Sequence, residues 1–202
     1  FPYTTLFRSI EQAAWGALGF LNFTKAHFVH YQELLDQFAE YQLCLVDEAT
    51  GYPVAVGNCV PLTCDFDNLP SEGWDWIVET AANNNGVRNA LGALAISVPG
   101  IHRSKGLARV MIQEFSNLAA RRGLDGVIAP VRPSAKHLHP FIPMEEYITW
   151  TDDKGRLFDP WLRSHAAAGG GDHVRKLCWL AIAGHHPMVG RRLRARHLLD
   201  DL

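Results

Sequence analysis

A chain of 202 residues, 48% apolar and 20% charged, has enough hydrophobic material for one domain with a core, and its balance is not that of a disordered polymer. Nineteen lysines and arginines against 21 acids leave a formal charge of −2, without the basic surplus that binding nucleic acid through its phosphates requires. No apolar run approaches the roughly 20 residues that span a bilayer, so neither nucleic acid nor membrane is an expected partner.

Residues 1–9 read FPYTTLFRS, without an initiator Met, and resemble the translation of a sequencing-library adapter. They are set aside as a non-native segment, with the expectation that the natural N-terminus, and a first strand with it, is missing. Residues 28–39 space Val29, Leu34, Leu35 and Phe38 for a helix. Residues 41–46 and 54–60 are rich in strand formers and flank the turn residues Asp47 to Gly51, which predicts a β-hairpin. Residues 61–73 form a loop, residues 74–82 a short helix, and Asn83 to Gly86 end it.

Residues 90–98 (ALGALAISV) are almost continuously apolar, as in a strand covered on both faces. Pro99 and Gly100 break the run. From Leu107 the period becomes helical: Leu107, Val110, Met111, Phe115 and Leu118 share a stripe, Arg121 and Arg122 suit the last turn, and Gly123 suits the position after it. Residues 126–131 are another short apolar strand. This β-α-β unit predicts a parallel pair within a mixed sheet. Pro143 opens a short helix over 144–150, Asp152 to Gly155 form a turn, and residues 166–171 read as a flexible linker. Arg191 to Arg196 carry four arginines and read as a solvated terminal helix.

The strand-to-helix corner carries the chemistry. Helix starts present unpaired N–H groups and the positive end of the dipole. Gly106 lets an anion approach the backbone, and Ala108 keeps the next turn clear. Arg103 and Lys105 add positive charge, and Ser104 is placed to cap the helix. The string itself would occur by chance in roughly one chain in five of this length; its position between a buried strand and an amphipathic helix makes it informative. No GxGxxG or Walker A spacing competes with it. The cysteines Cys44, Cys59, Cys64 and Cys178 form no CxxC pair and read as small buried hydrophobes in a reducing cytoplasm. His137, His139, His185 and His186 lack acidic or cysteine partners at ligand spacing, so no metal is expected.

Arg103-Ser-Lys-Gly-Leu-Ala108 resembles the acyl-CoA signature of the GNAT superfamily of N-acyltransferases. The stretches from Val131 to His137, Pro143 to Tyr147 and Phe158 to Arg163, and the hairpin ending in Val54 to Asn58, are similar to a bacterial GNAT-like branch. The likeness covers about residues 28–171. It implies an α/β (α+β) fold: a mixed, mostly antiparallel twisted sheet with a central β-α-β acyl-CoA-binding unit flanked by helices. It also implies that Ile96, Ser97 and Val98 pair with the pantetheine arm, that Arg103, Ser104, Lys105, Gly106, Leu107 and Ala108 hold the diphosphate of acetyl-CoA, and that a slot between the two parallel strands receives the thioester.

The sequence departs from the family where Ser104 replaces a frequent glycine, and residues 178–202 match it only faintly, without the expected later strands. The domains expected are therefore 10–171, GNAT-like, and 172–202, a divergent or truncated segment. The implied reaction moves an acetyl or short acyl group to a small amine. By family analogy Tyr147 is the acid, with Glu145 or Glu146 as base; packing is the competing role for Tyr147. Arg132, Lys136 and Arg163 are further cations for an acidic acceptor or the ribose phosphate, or simply solvated charges. A non-catalytic acyl-CoA-binding module stays open as the alternative, and a homodimer is left open.

Overall fold

The computed structural model describes residues 2–15, 24–167, 179–182 and 193–197. The hairpin forms where turn chemistry separates two strand-forming runs: β1 (Leu43–Asp47) and β2 (Pro53–Leu62) pair antiparallel, and Gly51 N–H donates to the Asp47 carbonyl at 2.7 Å. The apolar run becomes β3 (Ala90–Ser97), antiparallel to β2. The amphipathic stretch becomes α4 (Leu107–Arg121), which leads to β4 (Gly126–Pro130), parallel to β3. Before them lie α1 (Pro2–Trp15), a π-helical turn (His27–Tyr31) running into α2 (Gln32–Gln37), and α3 (Trp74–Ala82). After β4 come the short helices α5 (Met144–Tyr147) and α6 (Pro160–His165), then strands β5 (Trp179–Ile182) and β6 (Leu193–His197). The sheet order is β5-β4-β3-β2-β1-β6, mixed and mostly antiparallel, as the sequence predicts.

Two findings differ from the sequence expectation. Residues 193–197 form an edge strand rather than a solvated helix, with Leu43 facing His197 and Asp47 facing Leu193. Residues 179–182 add a strand on the far edge against β4. Both runs fall where later strands were not expected. Main-chain pairing with a distant partner outweighs an arginine-rich composition that suits a helix equally well. In addition, the segment set aside at the N-terminus lies within α1, which continues past residue 9; Phe7 and Ile10 are buried against Cys44, Val46 and Val56.

The helices cover both faces of the sheet. Leu107, Met111, Phe115 and Leu118 of α4 are buried over Leu45, Ala55, Leu91 and Val127. Each such side chain contributes about 1.5–3 kcal/mol by leaving water. Gly57 sets the closeness of this contact, since a Cβ there would lie 2.6 Å from Met111 Sδ and 2.7 Å from Phe115 Cζ. On the other face Leu34, Phe38, Ile77 and Val78 pack against Val60, Leu62, Ala90 and Ile128. Val29, on the π-helical turn, is 52% exposed and outside this core.

The register of β3 positions the site. Its pairing with β4 stops at Gly92 and Ile128, while β3 continues to Ser97 beside β2. A bulge inserts Leu94 between residues paired with Cys59 and Asn58. Past the bulge, the edge of β3 that faces β4 has no strand partner among the described residues. The two parallel strands therefore diverge like the arms of a V, and one arm ends at the loop before α4.

Candidate functional site

Pro99 ends β3, and a 3-10 turn (Gly100–His102) carries the chain to the start of α4. Two residues of this loop take left-handed backbone angles, Ser104 with φ +60° and Gly106 with φ +77°. Gly106, not Ser104, occupies the N-cap, and no side chain caps the helix. The capping expected of Ser104 fails because its own backbone turns left-handed two residues before the cap. The first internal bond of α4 runs from Val110 N–H to the Gly106 carbonyl at 3.2 Å. The N–H groups of Leu107, Ala108 and Arg109 therefore meet no acceptor among the described residues, at the positive end of the dipole. A Cβ at Gly106 would meet no atom within 4 Å, so the glycine faces open space.

Ser104 holds a conformation that costs a non-glycine residue about 1–2 kcal/mol. Ser104→Gly is therefore expected to raise the unfolding free energy by about 0.5–1 kcal/mol, after the extra chain entropy of glycine is subtracted. Urea unfolding measures this, and a destabilised variant would show that the hydroxyl contributes more than the strain costs.

The loop opens onto a cleft of about 990 Å³. Ile96 and Val98 lie along it from β3; Arg103, Ser104, Gly106, Leu107 and Ala108 line the α4 side; Trp161 and Arg163 line the α6 side, and Trp15 contributes from α1. Trp15 Nε1 donates to the fully buried Ser97 Oγ at 2.7 Å, tying α1 to the end of β3. Arg103 Nε donates to the Val98 carbonyl at 3.3 Å, which leaves its two terminal nitrogens clear of that bond. Among the described residues the lining contains Arg103, Arg109, Arg156, Arg163 and His102, and no aspartate or glutamate. Such an enclosure concentrates positive potential although the whole chain is acidic.

Two expected residues, Ser97 and Lys105, are not part of this lining; Ser97 is buried beneath it and Lys105 is exposed. Tyr147 and Glu146 lie outside it as well. Glu146 is exposed on α5, as is Glu145. Tyr147 is 1% exposed and donates its hydroxyl to Asp159 Oδ2 at 3.0 Å. Burial and the adjoining carboxylate push this phenol up to about 12. Its ring packs among His139, Trp150 and Phe158.

Asp159 is the hub of that wall. It caps α6 by accepting from Trp161 N–H at 2.9 Å and Leu162 N–H at 3.2 Å, with Pro160 as the first helical residue. It also accepts from Ala135 N–H at 2.7 Å and from the Ser134 hydroxyl. Burial would raise its carboxyl, but the backbone donors at Ala135 and Leu162 win and hold it below the usual range. Of the other cations noted in the sequence, only Arg163 reaches the cleft; Lys136 donates to the His139 carbonyl at 2.8 Å and Arg132 is exposed outside the lining. Trp15, Arg109, Arg156 and Trp161 were not anticipated, because folding rather than local spacing brings them together.

His137 contacts the Ser134 carbonyl while His139 packs in the aromatic cluster, and no group of three or more metal-ligating side chains occurs among the described residues. His185, His186 and Cys178 lie outside those residues, as does most of the linker expected over 166–171. Cys44 and Cys59 are buried and Cys64 is half-buried. No helix among the described residues is long and apolar enough to cross a membrane.

No family model matches the chain. An arginine N-acetyltransferase of Aspergillus versicolor is 35% identical over 168 residues, which is 75% of this chain and 58% of that protein. The chain thus spans little more than half the length of this curated relative. Among solved structures, the loading GNATL domain of CurA from Lyngbya majuscula aligns with a TM-score of 0.58 at 20% identity, over 86% of this chain and 94% of that domain. The GphF GNAT-like decarboxylase in complex with isobutyryl-CoA aligns with a TM-score of 0.55 at 14% identity, over 76% and 83% of the two chains. With the diverging parallel strands and the arginine-bearing corner before α4, the chain has the fold of these GNAT-like domains and resembles the Aspergillus N-acetyltransferase over the aligned residues.

Proposed function

We propose that this chain is an acyl-CoA-dependent N-acyltransferase that moves an acetyl or short acyl group to a small amine. The observation that carries the reading is the meeting, in one arginine-lined cleft, of an edge of β3 and three N–H groups at the start of α4 that have no partner among the described residues. An extended pantetheine arm needs main-chain partners along its length, and a diphosphate needs N–H donors and cations without steric bulk. Ile96 and Val98 answer the first need; Arg103, Gly106, Leu107 and Ala108 answer the second. In the reaction a neutral amine nitrogen bonds to the thioester carbonyl carbon, the C–S bond breaks, and the proton lost by nitrogen balances the departing thiolate. Arginine, the acceptor named for the Aspergillus protein, is the first amine to test. The likeness to a fungal protein broadens the bacterial branch suggested by sequence.

A second reading, a module that binds acyl-CoA without catalysis, draws on one specific observation: among the described residues the lining holds no carboxylate and no tyrosine. Thermal shift with acetyl-CoA combined with thiol release in the presence of arginine and other small amines separates the two. Stabilisation with amine-dependent release supports the enzyme, and stabilisation alone supports the module. No stabilisation removes both.

Within the enzyme reading, Tyr147 positions α6 rather than transferring a proton, since its hydroxyl already serves Asp159. Tyr147→Phe is expected to leave kcat within about twofold while costing about 1–2 kcal/mol of stability. A fall in kcat of about a hundredfold would return it to the role of acid.

A further inference from the structure

The cleft holds more positive charge than a diphosphate needs. Arg103 and the α4 amides form one side, yet Arg156 and Arg163 stand with α6 on the other. These two arginines are not equivalent. Arg156 is committed, donating to Asp152 Oδ2 through Nε at 2.9 Å and Nη2 at 2.7 Å. Arg163 is instead anchored through Nη1, which donates to the carbonyls of Leu157 and Phe158, both at 2.7 Å. Asp152 lies 3.9 Å from that same nitrogen, and no described residue accepts from Nε or Nη2 of Arg163. Its side chain is 31% exposed, so the guanidinium is pre-oriented and still open to solvent. Two residues earlier on the same short helix, Trp161 lines the cleft while His165 braces its indole edge-on at a centroid distance of 4.5 Å.

A fixed flat aromatic surface beside an anchored, half-open arginine suits a purine joined to a phosphomonoester. Resting on the acyl-CoA reading above, we infer that Trp161 and Arg163 form the subsite for the 3′-phosphorylated adenosine end of the co-substrate. The indole lies against the adenine, and Nη2 and Nε of Arg163 donate to the ribose 3′-phosphate. The two walls of the cleft then divide three phosphates between them, the diphosphate on the α4 side and the monoester on the α6 side. The thioester end is left to the apolar stretch between Trp15, Ile96 and Val98.

Calorimetric titration of the full chain with CoA and with dephospho-CoA, which lacks only the 3′-phosphate, tests this. The unaltered protein is expected to prefer CoA by about tenfold or more. Arg163→Gln is expected to erase that preference while holding the Kd for dephospho-CoA within about threefold, and Arg163→Lys to restore part of it. Trp161→Leu is expected to weaken both ligands by a similar factor, about tenfold, and to keep the preference intact. Equal affinity of the unaltered protein for the two ligands overturns the subsite, whatever the variants do. So does a full preference surviving in Arg163→Gln, or an equal loss of both ligands there, which would place Arg163 on another part of the molecule. Failure of CoA to bind at all instead overturns the acyl-CoA reading.

Discussion

Asp159→Ala is expected to lower the unfolding free energy by about 3–5 kcal/mol, a large share of the stability of a single domain. The loss has separable parts. Removing the cap from the N–H groups of Trp161 and Leu162 costs about 1 kcal/mol. The buried Tyr147 hydroxyl and the Ala135 N–H lose their acceptor, each with a desolvation penalty of about 1–3 kcal/mol that partial relaxation reduces. Asp159→Asn keeps one oxygen for the cap and should recover about half of the loss.

The acid limb of stability supplies a second readout of the same residue. The folded-state pKa of Asp159 lies below its ordinary value of about 3.9, so its carboxylate stabilises the fold above that pH. That contribution disappears as pH falls through the depressed folded value. The gap between wild type and Asp159→Asn should therefore narrow as pH drops below about 4. Urea unfolding over that range measures it, and a gap independent of pH would mean that the charge itself contributes nothing.

Gly106→Val is expected to raise the Kd for acetyl-CoA by about a hundredfold. At φ +77° a β-branched residue is strained, and its methyl groups would project into the open space that the glycine now leaves beside three N–H donors. Gly106→Ala, with the strain but a smaller obstacle, should raise the Kd by about tenfold. Both variants lose about 1–2 kcal/mol of stability, so titration at a temperature where each remains folded isolates the binding effect. An unchanged Kd for the valine variant would remove the α4 corner from ligand binding.

The β-α-β unit was legible in the sequence because its signals are local. The run from Ala90, the stripe of Leu107, Met111, Phe115 and Leu118, and Gly123 after the helix each report on a few neighbouring residues, and β3, α4 and β4 form where they point. The corner between strand and helix was legible for the same reason, although Ser104 illustrates the limit. A hydroxyl near a helix start suggests a cap, but the backbone angle that decides the matter leaves no mark in composition. Residues 193–197 show a different limit. Their arginines suit a solvated helix, and only pairing with Leu43 to Asp47, far earlier in the chain, makes them a strand. The α6 wall combines both kinds of information. Asp159 followed by Pro160 is a readable helix start, whereas the bond from Tyr147 to that carboxylate depends on how two segments dock.

The edge position of β6 has a consequence for how the molecule is made. β1 meets β2 across a five-residue turn, yet its other edge waits for residues 193–197, far later in the chain. During synthesis, the row of main-chain donors and acceptors along that edge of Leu43–Asp47 stays bare until residues 193–197 have left the ribosome, well after β2, β3 and β4. The nascent protein is thus most prone to sticking to its own copies in the interval between completing its inner strands and receiving β6.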